Sequence, residues 1–375
     1  MRIGYDAKRA FCNHRGLGNY SRETIRIVAS HFPDAQLDLF TPKIDSSIHF
    51  DCPQNATIIQ PKSTVLHSLW RTFGITKEAE KQHLDLYHGL SHELPYGIEK
   101  TRIPTVVTMH DLIFVRHPEL YPFIDRKLYE TKYLRSCRLA DRIIAVSQQT
   151  KKDLMDLWRI EDAKIEVVYQ GCHPAFSRQV TENKKQSIRK KYNLPLTYLL
   201  NVGAIEPRKN QMLILKALVA GQIDLPLVIA GRKTDYLGEL QEFIAKNRLL
   251  NRVIFLPDID FNDLPALYQS AYIFIYPSQY EGFGIPIVEA LQSGAPVIAA
   301  KGSCLEESGG PNSRYVSPNS ADELAEQIMI LDRSKELRNN IIEKGEIYAK
   351  QFSDEAIAHN LNNLYTNLTR QNKKL

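Results

Sequence analysis

Stretches with the apolar character of β-strands alternate with stretches of helical periodicity along the whole chain. Alternation of this kind is typical of α/β proteins, in which parallel sheets carry helices on both faces. A chain of 375 residues also exceeds the roughly 250 to 300 residues at which a single core stops growing. We therefore expect two doubly wound, Rossmann-like domains facing each other across a cleft, with ligands at the carboxyl ends of the strands. The predicted strands are residues 2–5, 36–40, 86–88, 105–109 and 142–146, then 198–203, 226–231, 253–257, 272–276 and 296–300.

A polar stretch near the middle of the chain marks the predicted domain boundary. Residues 177–193 contain two clusters of adjacent Lys and Arg residues and lead into Leu194-Pro195. Such a composition fits a linker better than a core element. We predict a first domain over residues 1–176, a linker over 177–195 and a second domain over 196–352.

Composition argues against several classes of protein. The formal net charge of +5 is too small, for this length, to indicate a nucleic-acid partner. No window approaches the roughly 18 consecutive apolar residues of a membrane span. The five cysteines are scattered and form no Cys-x-x-Cys pair, which predicts free thiols in a reducing compartment. The sequence opens on a strand-like segment without an apolar leader, so we expect a cytoplasmic protein.

The most informative motif runs from Pro277 to Ala290 and reads PSQYEGFGIPIVEA. A predicted strand ends at residue 276 and helical periodicity begins near Pro286. The backbone N–H groups of residues 282–285 then lie at a helix N-terminus, which favours an anion. Glu281 precedes the turn and Glu289 lies about one helical turn inside it, so the two carboxylates are expected to meet different ends of a ligand. A tight strand-to-helix connection with a solvated Glu289 is the alternative.

Three shorter motifs also lie beside predicted strands or helices. Gly16-Leu17-Gly18 precedes a helix predicted from Asn19, but a serine stands where the NAD fingerprint has its third glycine, so it is a weak dinucleotide signature. His110 follows the strand at 105–109, and Arg208-Lys209 follows the strand at 198–203 and suits a diphosphate. A surface loop, a structural histidine and a solvated pair of cations are the respective alternatives.

An Asp258-Ile259-Asp260 triplet raises the question of a divalent metal. Two aspartates in this spacing hold a metal on a nucleotide diphosphate in some enzymes. We favour a turn or helix-capping role for the pair, because a predicted helix begins near Leu264.

The order of these motifs closely resembles that of the family 4 glycosyltransferases, which are retaining enzymes of the GT-B fold. The resemblance covers nearly the whole chain and includes Gly16 to Tyr20, His110-Asp111, the run from Glu206 to Asn210, and Pro277 to Ile298. The pattern looks most like bacterial mannosyltransferase-type members. Asp258 and Glu306 depart from it, since relatives tend to have glycine and proline there, and the first departure leaves base selection open.

The resemblance implies a role for each candidate residue, and none of these roles needs a raised carboxyl pKa. It also implies that the amphipathic tail, residues 353–375, forms a helix that packs back on the first, acceptor-binding domain. The implied catalytic residues are His110 and Glu281; the implied diphosphate ligands are Gly16, Gly18, Arg208, Lys209, Gly282, Phe283, Gly284 and Ile285; the implied nucleoside ligands are Glu289 and Ile259.

Acceptor recognition is expected in the first domain. His88, Glu93 and Trp70 are the candidate acceptor ligands, although Trp70 equally suits packing of a helix end. The spacing of His88 and His92 without acidic partners argues against a zinc site.

These features together predict a retaining, metal-independent glycosyltransferase without a cofactor, which transfers a hexose from a nucleotide-sugar. Mannose from GDP-mannose is the expected donor, and a glycan or lipid-linked oligosaccharide in polysaccharide biosynthesis is the expected acceptor. A sugar-nucleotide epimerase and a non-catalytic nucleotide-sugar binding protein are the alternatives. The basic residues between Arg126 and Arg142 suit either a peripheral contact with the inner face of a membrane or a solvated helix face.

Overall fold

The computed structural model describes residues 1–62, 69–257 and 259–372. It divides into two compact units. Unit 1 comprises Met1–Gly171 together with the C-terminal segment from Ser353, and unit 2 comprises Cys172–Phe352. Each unit is built on a parallel sheet with helices, which confirms the predicted α/β class.

The described part of unit 1 contains a seven-stranded parallel sheet in the order β3-β2-β1-β4-β5-β6-β7. Every residue of β4 and β5 is buried, as expected when helices cover both faces of a parallel sheet. The strands are β1 (Arg2–Asp6), β2 (Gln36–Phe40), β3 (Ala56–Ile59), β4 (Leu86–Gly89), β5 (Thr105–Met109), β6 (Arg142–Ala145) and β7 (Ile165–Val167).

The described part of unit 2 contains a six-stranded parallel sheet in the order β10-β9-β8-β11-β12-β13. The chain winds outward from β8 to β10 and then returns to β11 beside β8. This reversal is the topological switch point, and open α/β sheets bind their ligands beside the carboxyl ends of the strands at such a point. The strands are β8 (Leu199–Val202), β9 (Leu227–Ala230), β10 (Val253–Leu256), β11 (Ile273–Tyr276), β12 (Val297–Ala300) and β13 (Arg314–Val316).

Helices connect the strands in both units. The α-helices are α1 (Lys8–Cys12), α2 (Gly16–His31), α3 (Ile75–Lys81), α4 (Ile113–Arg116), α5 (Phe123–Leu139), α6 (Gln148–Trp158), α7 (Glu182–Lys191), α8 (Gln211–Ala220), α9 (Leu237–Lys246), α10 (Leu264–Gln269), α11 (Ile285–Gln292), α12 (Leu305–Gly309), α13 (Ala321–Arg333), α14 (Lys335–Ala349) and α15 (Asp354–Asn372). A π-helical turn covers Trp70–Gly74, and 3₁₀ turns cover Ile98–Lys100, Pro118–Leu120, Asp162–Lys164, Pro207–Lys209, Phe261–Asp263 and Lys350–Phe352. No helix within the described residues is long and apolar enough to span a membrane.

The segment predicted as a linker is part of unit 2, so that prediction is wrong. Its charged residues form α7, which is capped by Thr181. Lys184 and Lys191 donate to the two carboxylate oxygens of the buried Asp263 at 2.9 and 2.6 Å. Tyr192 adds a third hydrogen bond to the same carboxylate at 3.0 Å. The basic clusters that suggested a solvated linker therefore attach a helix to unit 2, and the chain passes from unit 1 to unit 2 between Gly171 and Cys172.

The C-terminal helix α15 belongs to unit 1. Arg26 on α2 pairs with Asp354 at the start of α15 through two hydrogen bonds of 2.7 and 2.8 Å. Further along α15, the buried hydroxyl of Tyr365 bonds the Nδ1 atom of His88 at 2.7 Å. Apolar side chains of α15 complete the burial; they are Ile357, Leu361, Leu364 and Leu368.

Candidate active site

Glu281 lies in the loop after β11 at the switch point of unit 2, and four donors surround its carboxylate. Its Oε1 atom accepts from Lys209 Nζ at 2.5 Å, Ser278 Oγ at 2.6 Å and Tyr276 Oη at 2.9 Å. Its Oε2 atom lies 3.0 Å from an Arg208 guanidinium nitrogen. Burial by itself would raise the pKa of Glu281, but the charges of Lys209 and Arg208 lower it to about 2. The carboxylate therefore stays ionised at neutral pH.

Arg208 and Lys209 lie in the loop after β8, on the neighbouring strand. The 3₁₀ turn Pro207–Lys209 carries both cations, and the proline at its start fixes the backbone for the turn. Arg208 also donates to Glu206 at 2.7 Å and to the backbone carbonyl of Tyr280. The structure thus joins residues that the sequence placed in separate motifs, because β8 and β11 are adjacent in the sheet.

Asn210 fixes the two loops to each other. It adopts a left-handed backbone conformation with φ of 59°, which asparagine tolerates better than most residues. Its side-chain amide donates to the carbonyls of Pro277 and Pro318 at 3.1 and 2.8 Å. Gln279 N–H donates to the carbonyl of Arg208 at 2.9 Å. The positions of the two cations are therefore set by backbone contacts as well as by Glu281.

The Gly282-Phe283-Gly284 turn leads directly into α11. Gly284 is the N-cap residue, with φ of +106°, and a Cβ atom there would lie 2.8 Å from both Leu305 and Ser308. Glycine is therefore required at position 284. The Phe283 side chain is buried against Phe352 at a ring distance of 5.4 Å, so it packs in unit 2. Diphosphate binding by residues 282–285 stays a prediction.

Glu289 differs from Glu281 in its protonation. Its Oε2 atom accepts a 2.8 Å hydrogen bond from the buried Tyr268 hydroxyl. Burial raises the pKa of Glu289 to about 7, and the hydrogen bond from Tyr268 only partly opposes this. The roles implied for the two glutamates need no raised carboxyl pKa, but burial raises the pKa of Glu289, whereas the neighbouring cations lower that of Glu281.

The other candidate for a nucleoside contact, Ile259, is partly buried and lies between β10 and the turn Phe261–Asp263. Asp260 caps that turn by accepting from the N–H of Asn262 at 2.8 Å. Asp258 lies outside the described residues.

His110 lies at the carboxyl end of β5 in unit 1, and it is almost fully buried. Its Nε2 atom faces the carbonyl of Leu90 at 2.9 Å and must therefore carry the proton. Its backbone N–H donates to Nε2 of His92 at 3.1 Å. Burial lowers the pKa of His110 to about 4 against the opposing effect of the Leu90 carbonyl. At neutral pH the ring is uncharged, and its Nδ1 lone pair is an acceptor that suits a hydroxyl group.

The glycines at the start of α2 are part of the helix, whereas the sequence predicted a loop before Asn19. Asn19 N–H donates to the carbonyl of Arg15 at 3.0 Å, so the first turn already includes Gly16 and Gly18. A Cβ atom at position 18 would lie 1.8 Å from the carbonyl oxygen of Asn13. Gly18 thus permits a close backbone approach, whereas Gly16 is exposed. Their contact with a phosphate stays a prediction.

His88 is a core residue, which contradicts its predicted role as an acceptor ligand. It has no exposed surface. Nδ1 is hydrogen-bonded to Tyr365 Oη at 2.7 Å and Nε2 to Thr108 Oγ1 at 2.8 Å. Both ring nitrogens are therefore already occupied within unit 1.

Glu93 and Trp70 have structural partners as well. Glu93 lies 3.1 Å from Arg71, which also pairs with Asp6 at 2.6 Å. These groups and Tyr87, whose buried hydroxyl has no hydrogen-bond partner among the described residues, line a cavity of about 20 Å³, enough space for one water molecule. Trp70 is partly buried against the core of unit 1, as in the packing alternative for this residue.

Sequence reasoning missed three partners of the glutamates, Tyr276, Ser278 and Tyr268. Tyr276 ends β11, and its position at the carboxyl end of a strand was a usable signal. Tyr268 lies on α10 and carries no local signal, since only the packing of α10 brings it to Glu289.

Comparison with known proteins agrees with this geometry. Residues 22–176 match the family described as Glycosyltransferase Family 4, and residues 182–348 match the family described as Glycosyl transferases group 1. The chain is a family 4 glycosyltransferase. This confirms the membership predicted from the motifs.

Two bacterial mannosyltransferases are among the relatives of this family 4 glycosyltransferase. O-antigen chain mannosyltransferase B of Escherichia coli is 27% identical over 91% of this chain and 93% of its own length. O-antigen chain mannosyltransferase RfbU of Salmonella typhimurium is 31% identical over 57% of this chain and 56% of its own. A solved structure, sucrose-phosphate synthase from Thermosynechococcus elongatus, has a TM-score of 0.79 at 21% identity and covers 99% of this chain and all of that one. The family 4 glycosyltransferase therefore has the predicted GT-B fold.

Proposed function

We propose that the enzyme transfers a hexose with retention of configuration from a nucleotide-sugar, with GDP-mannose as donor. The observation that carries the proposal is the pair of cations, Arg208 and Lys209, held by Glu281 at the switch point of unit 2. The two mannosyltransferase relatives support mannose as the transferred sugar.

The cations are suited to the leaving group. Transfer breaks the bond between C1 of the sugar and the phosphate oxygen, and the electron pair leaves on the nucleoside diphosphate. Positive charge placed near that oxygen lowers the barrier, and it acts most strongly in a partly buried site. Arg208 provides a planar fork of donors and Lys209 a point charge. No resident metal or cofactor is needed in this proposal, because the two side chains supply the charge.

The new bond forms on the same face of the sugar. The acceptor hydroxyl attacks C1 as the phosphate departs, and its proton passes to the departing phosphate oxygen. In this proposal Glu281 contacts the sugar only through carboxylate lone pairs that Lys209 and Arg208 do not occupy. Its low pKa makes it a hydrogen-bond acceptor rather than an acid.

The acceptor in this proposal is a glycan of a surface polysaccharide, carried on a lipid. The O-antigen relatives support this class of acceptor. An acceptor of this kind is presented at a membrane surface, so peripheral contact with a bilayer is part of the proposal.

A thermal-shift panel tests the donor first. A ligand that binds only the folded protein raises the melting temperature by mass action. We expect GDP and GDP-mannose to raise it more than UDP, ADP or NAD, with no change on addition of EDTA. A response to UDP alone would show that the donor carries uridine in place of guanosine. A response that EDTA abolishes would contradict metal independence.

Product analysis tests the reaction. With GDP-mannose and extracted lipid-linked glycan, proton NMR of the product is expected to show an α-mannosyl linkage, the configuration of the donor. Consumption of GDP-mannose without an acceptor, giving an epimer or free sugar, would instead support the epimerase alternative.

A further inference from the structure

The N-terminal half of α5 and the turn before it expose large apolar side chains. Ile124 is 79% exposed, Phe123 64%, Leu128 48% and Leu120 44%. The opposite face of the helix buries Tyr133, Ser136 and Cys137 in unit 1. The helix is therefore anchored to the unit while these apolar side chains project away from it. We call Leu120, Phe123, Ile124 and Leu128 the α5 apolar face.

Cations surround the α5 apolar face. The other exposed residues of α5 are Lys127, Thr131, Arg138 and Leu139, so no acidic residue is among the exposed ones on this helix. The Arg126 guanidinium lies 5.4 Å from the centre of the Phe123 ring. Three acidic residues lie nearby: Glu130 pairs with Lys127 at 3.1 Å, Glu119 contacts His117 at 3.2 Å, and the half-buried Asp125 lies in the first turn of α5.

We propose that the α5 apolar face docks on an anionic lipid bilayer, with Phe123, Ile124 and Leu128 entering the interface and Lys127 and Arg138 contacting the headgroups. Apolar side chains flanked by cations on one helix face are the combination that binds anionic lipid surfaces. This assignment deepens the proposed peripheral contact by naming its surface, and it does not depend on the donor. A protein partner is the competing occupant.

Vesicle flotation of the full chain tests the assignment. The probes are vesicles of phosphatidylcholine alone and vesicles in which a third of the lipid is phosphatidylglycerol. We expect binding to the anionic vesicles, weaker binding in high salt, and about tenfold or greater loss for the double variant Phe123→Ser/Ile124→Ser. The matched control is Leu196→Ser/Leu250→Ser, which removes two leucines of unit 2 that are 76% and 68% exposed and is expected to bind like the wild type.

A second variant separates docking from folding. Lys127→Glu/Arg138→Glu changes only exposed charges and is expected to lose binding to anionic vesicles while keeping the melting temperature and the GDP-induced thermal shift. Failure of the wild type to float with anionic vesicles, or equal binding of the Phe123/Ile124 variant, overturns the assignment and favours a protein partner. Loss of the GDP shift in the wild type instead overturns the proposed donor and leaves the docking result intact.

Discussion

At the scale of residues, two glutamates of one motif have opposite protonation. Glu281 and Glu289 are both partly buried, yet the pKa of the first is lowered to about 2 and that of the second is raised to about 7. Burial acts in the same direction on both. The difference comes from Lys209 and Arg208, which reach Glu281 and not Glu289.

Replacement of Glu281 by glutamine tests its role as the anchor of the two cations. The amide cannot neutralise Arg208 and Lys209, so these side chains are expected to move from their places at the switch point. Because displacement by about 1 Å can cost two orders of magnitude in rate, we expect about a 10²-fold loss of transfer with GDP binding retained. Transfer rates and GDP-induced thermal shifts are the measurements.

Glu206→Gln is the control for that experiment. The Glu206 carboxylate also pairs with Arg208, at 2.7 Å, but its side chain is 34% exposed, and its contact with Lys209 is a backbone hydrogen bond that the substitution leaves in place. Its replacement is expected to cost less than about tenfold, since exposed pairs contribute little. Equal losses in the two variants, or full activity of Glu281→Gln, would contradict the anchoring role.

The raised pKa of Glu289 predicts a pH-dependent gain in stability for Glu289→Gln. Below about pH 4.5 the carboxyl is protonated in both the folded and the unfolded chain, and it favours neither. As pH rises towards 7 the unfolded chain ionises first, so the folded state loses stability up to about pH 7 and then no further. Glutamine keeps an acceptor for Tyr268 and removes this loss, which is roughly 1 to 3 kcal/mol.

Melting temperatures at about pH 5 and pH 8 measure this effect. Glu289→Gln is expected to exceed the wild type at the higher pH and to approach it at the lower. Glu326→Gln, an exposed site on α13 of the same unit, is expected to show no such pH dependence. A Glu289→Gln variant that is less stable than the wild type at pH 8 would be inconsistent with the raised pKa.

At the scale of elements, a buried hydrogen-bonded chain links α15 to α2 within unit 1. Tyr365 on α15 bonds His88, His88 bonds Thr108, and the Thr108 hydroxyl lies 3.0 Å from that of Tyr20 on α2. The Tyr20 ring then packs edge-on against His110 at 4.5 Å. His88 is thus a buried link between α15 and β5, and both of its ring nitrogens are hydrogen-bonded within unit 1.

Tyr365→Phe is expected to break the first link of this chain. The change leaves a His88 nitrogen buried without a partner, which costs about 1 to 3 kcal/mol. We expect faster amide hydrogen exchange in α15 and around His88. Asn360→Ala, an exposed site on the same helix, is the control, and unchanged exchange in Tyr365→Phe would argue against the link.

At the scale of the whole molecule, unit 1 is built from two distant parts of the chain. Five large side chains of α15, from Ile357 to Leu368, are 7% exposed or less; they are Ile357, Leu361, Leu364, Tyr365 and Leu368. Each contributes roughly 1.5 to 3 kcal/mol by burial. Together they amount to on the order of 10 kcal/mol, which is comparable with the total stability of a typical domain.

Truncation after Phe352 is therefore expected to unfold or aggregate unit 1. Size-exclusion chromatography measures aggregation. Calorimetry measures whether the unfolding transition that belongs to unit 1 is lost. Unit 2 ends at Phe352, so the truncated chain is expected to keep its GDP-induced thermal shift if it stays in solution. A monomeric truncated chain with unchanged unfolding would show that α15 contributes little.

The sequence determined the strands at the centre of both sheets and the motifs that follow them. Central parallel strands are buried on both faces, so their sequences are apolar runs bounded by turn residues. The predicted strands match β1, β2, β4 to β6 and β8 to β12 within one or two residues. The missed strands are β3, β7 and β13, and all three are at sheet edges. An edge strand is short and pairs on one side only, so its identity depends on its neighbour more than on its own residues.

Only the tertiary structure decided which charges meet. The basic residues of α7 predicted a linker, but the structure places Asp263 beside them. The sequence predicted His88 as a ligand, but Tyr365 and Thr108 occupy its two ring nitrogens. Local sequence records whether a residue is apolar or charged, and that governs which segments are buried. Pairing between residues 72 positions apart, as for Lys209 and Glu281, depends instead on strand order, which the alternation of strands and helices does not specify.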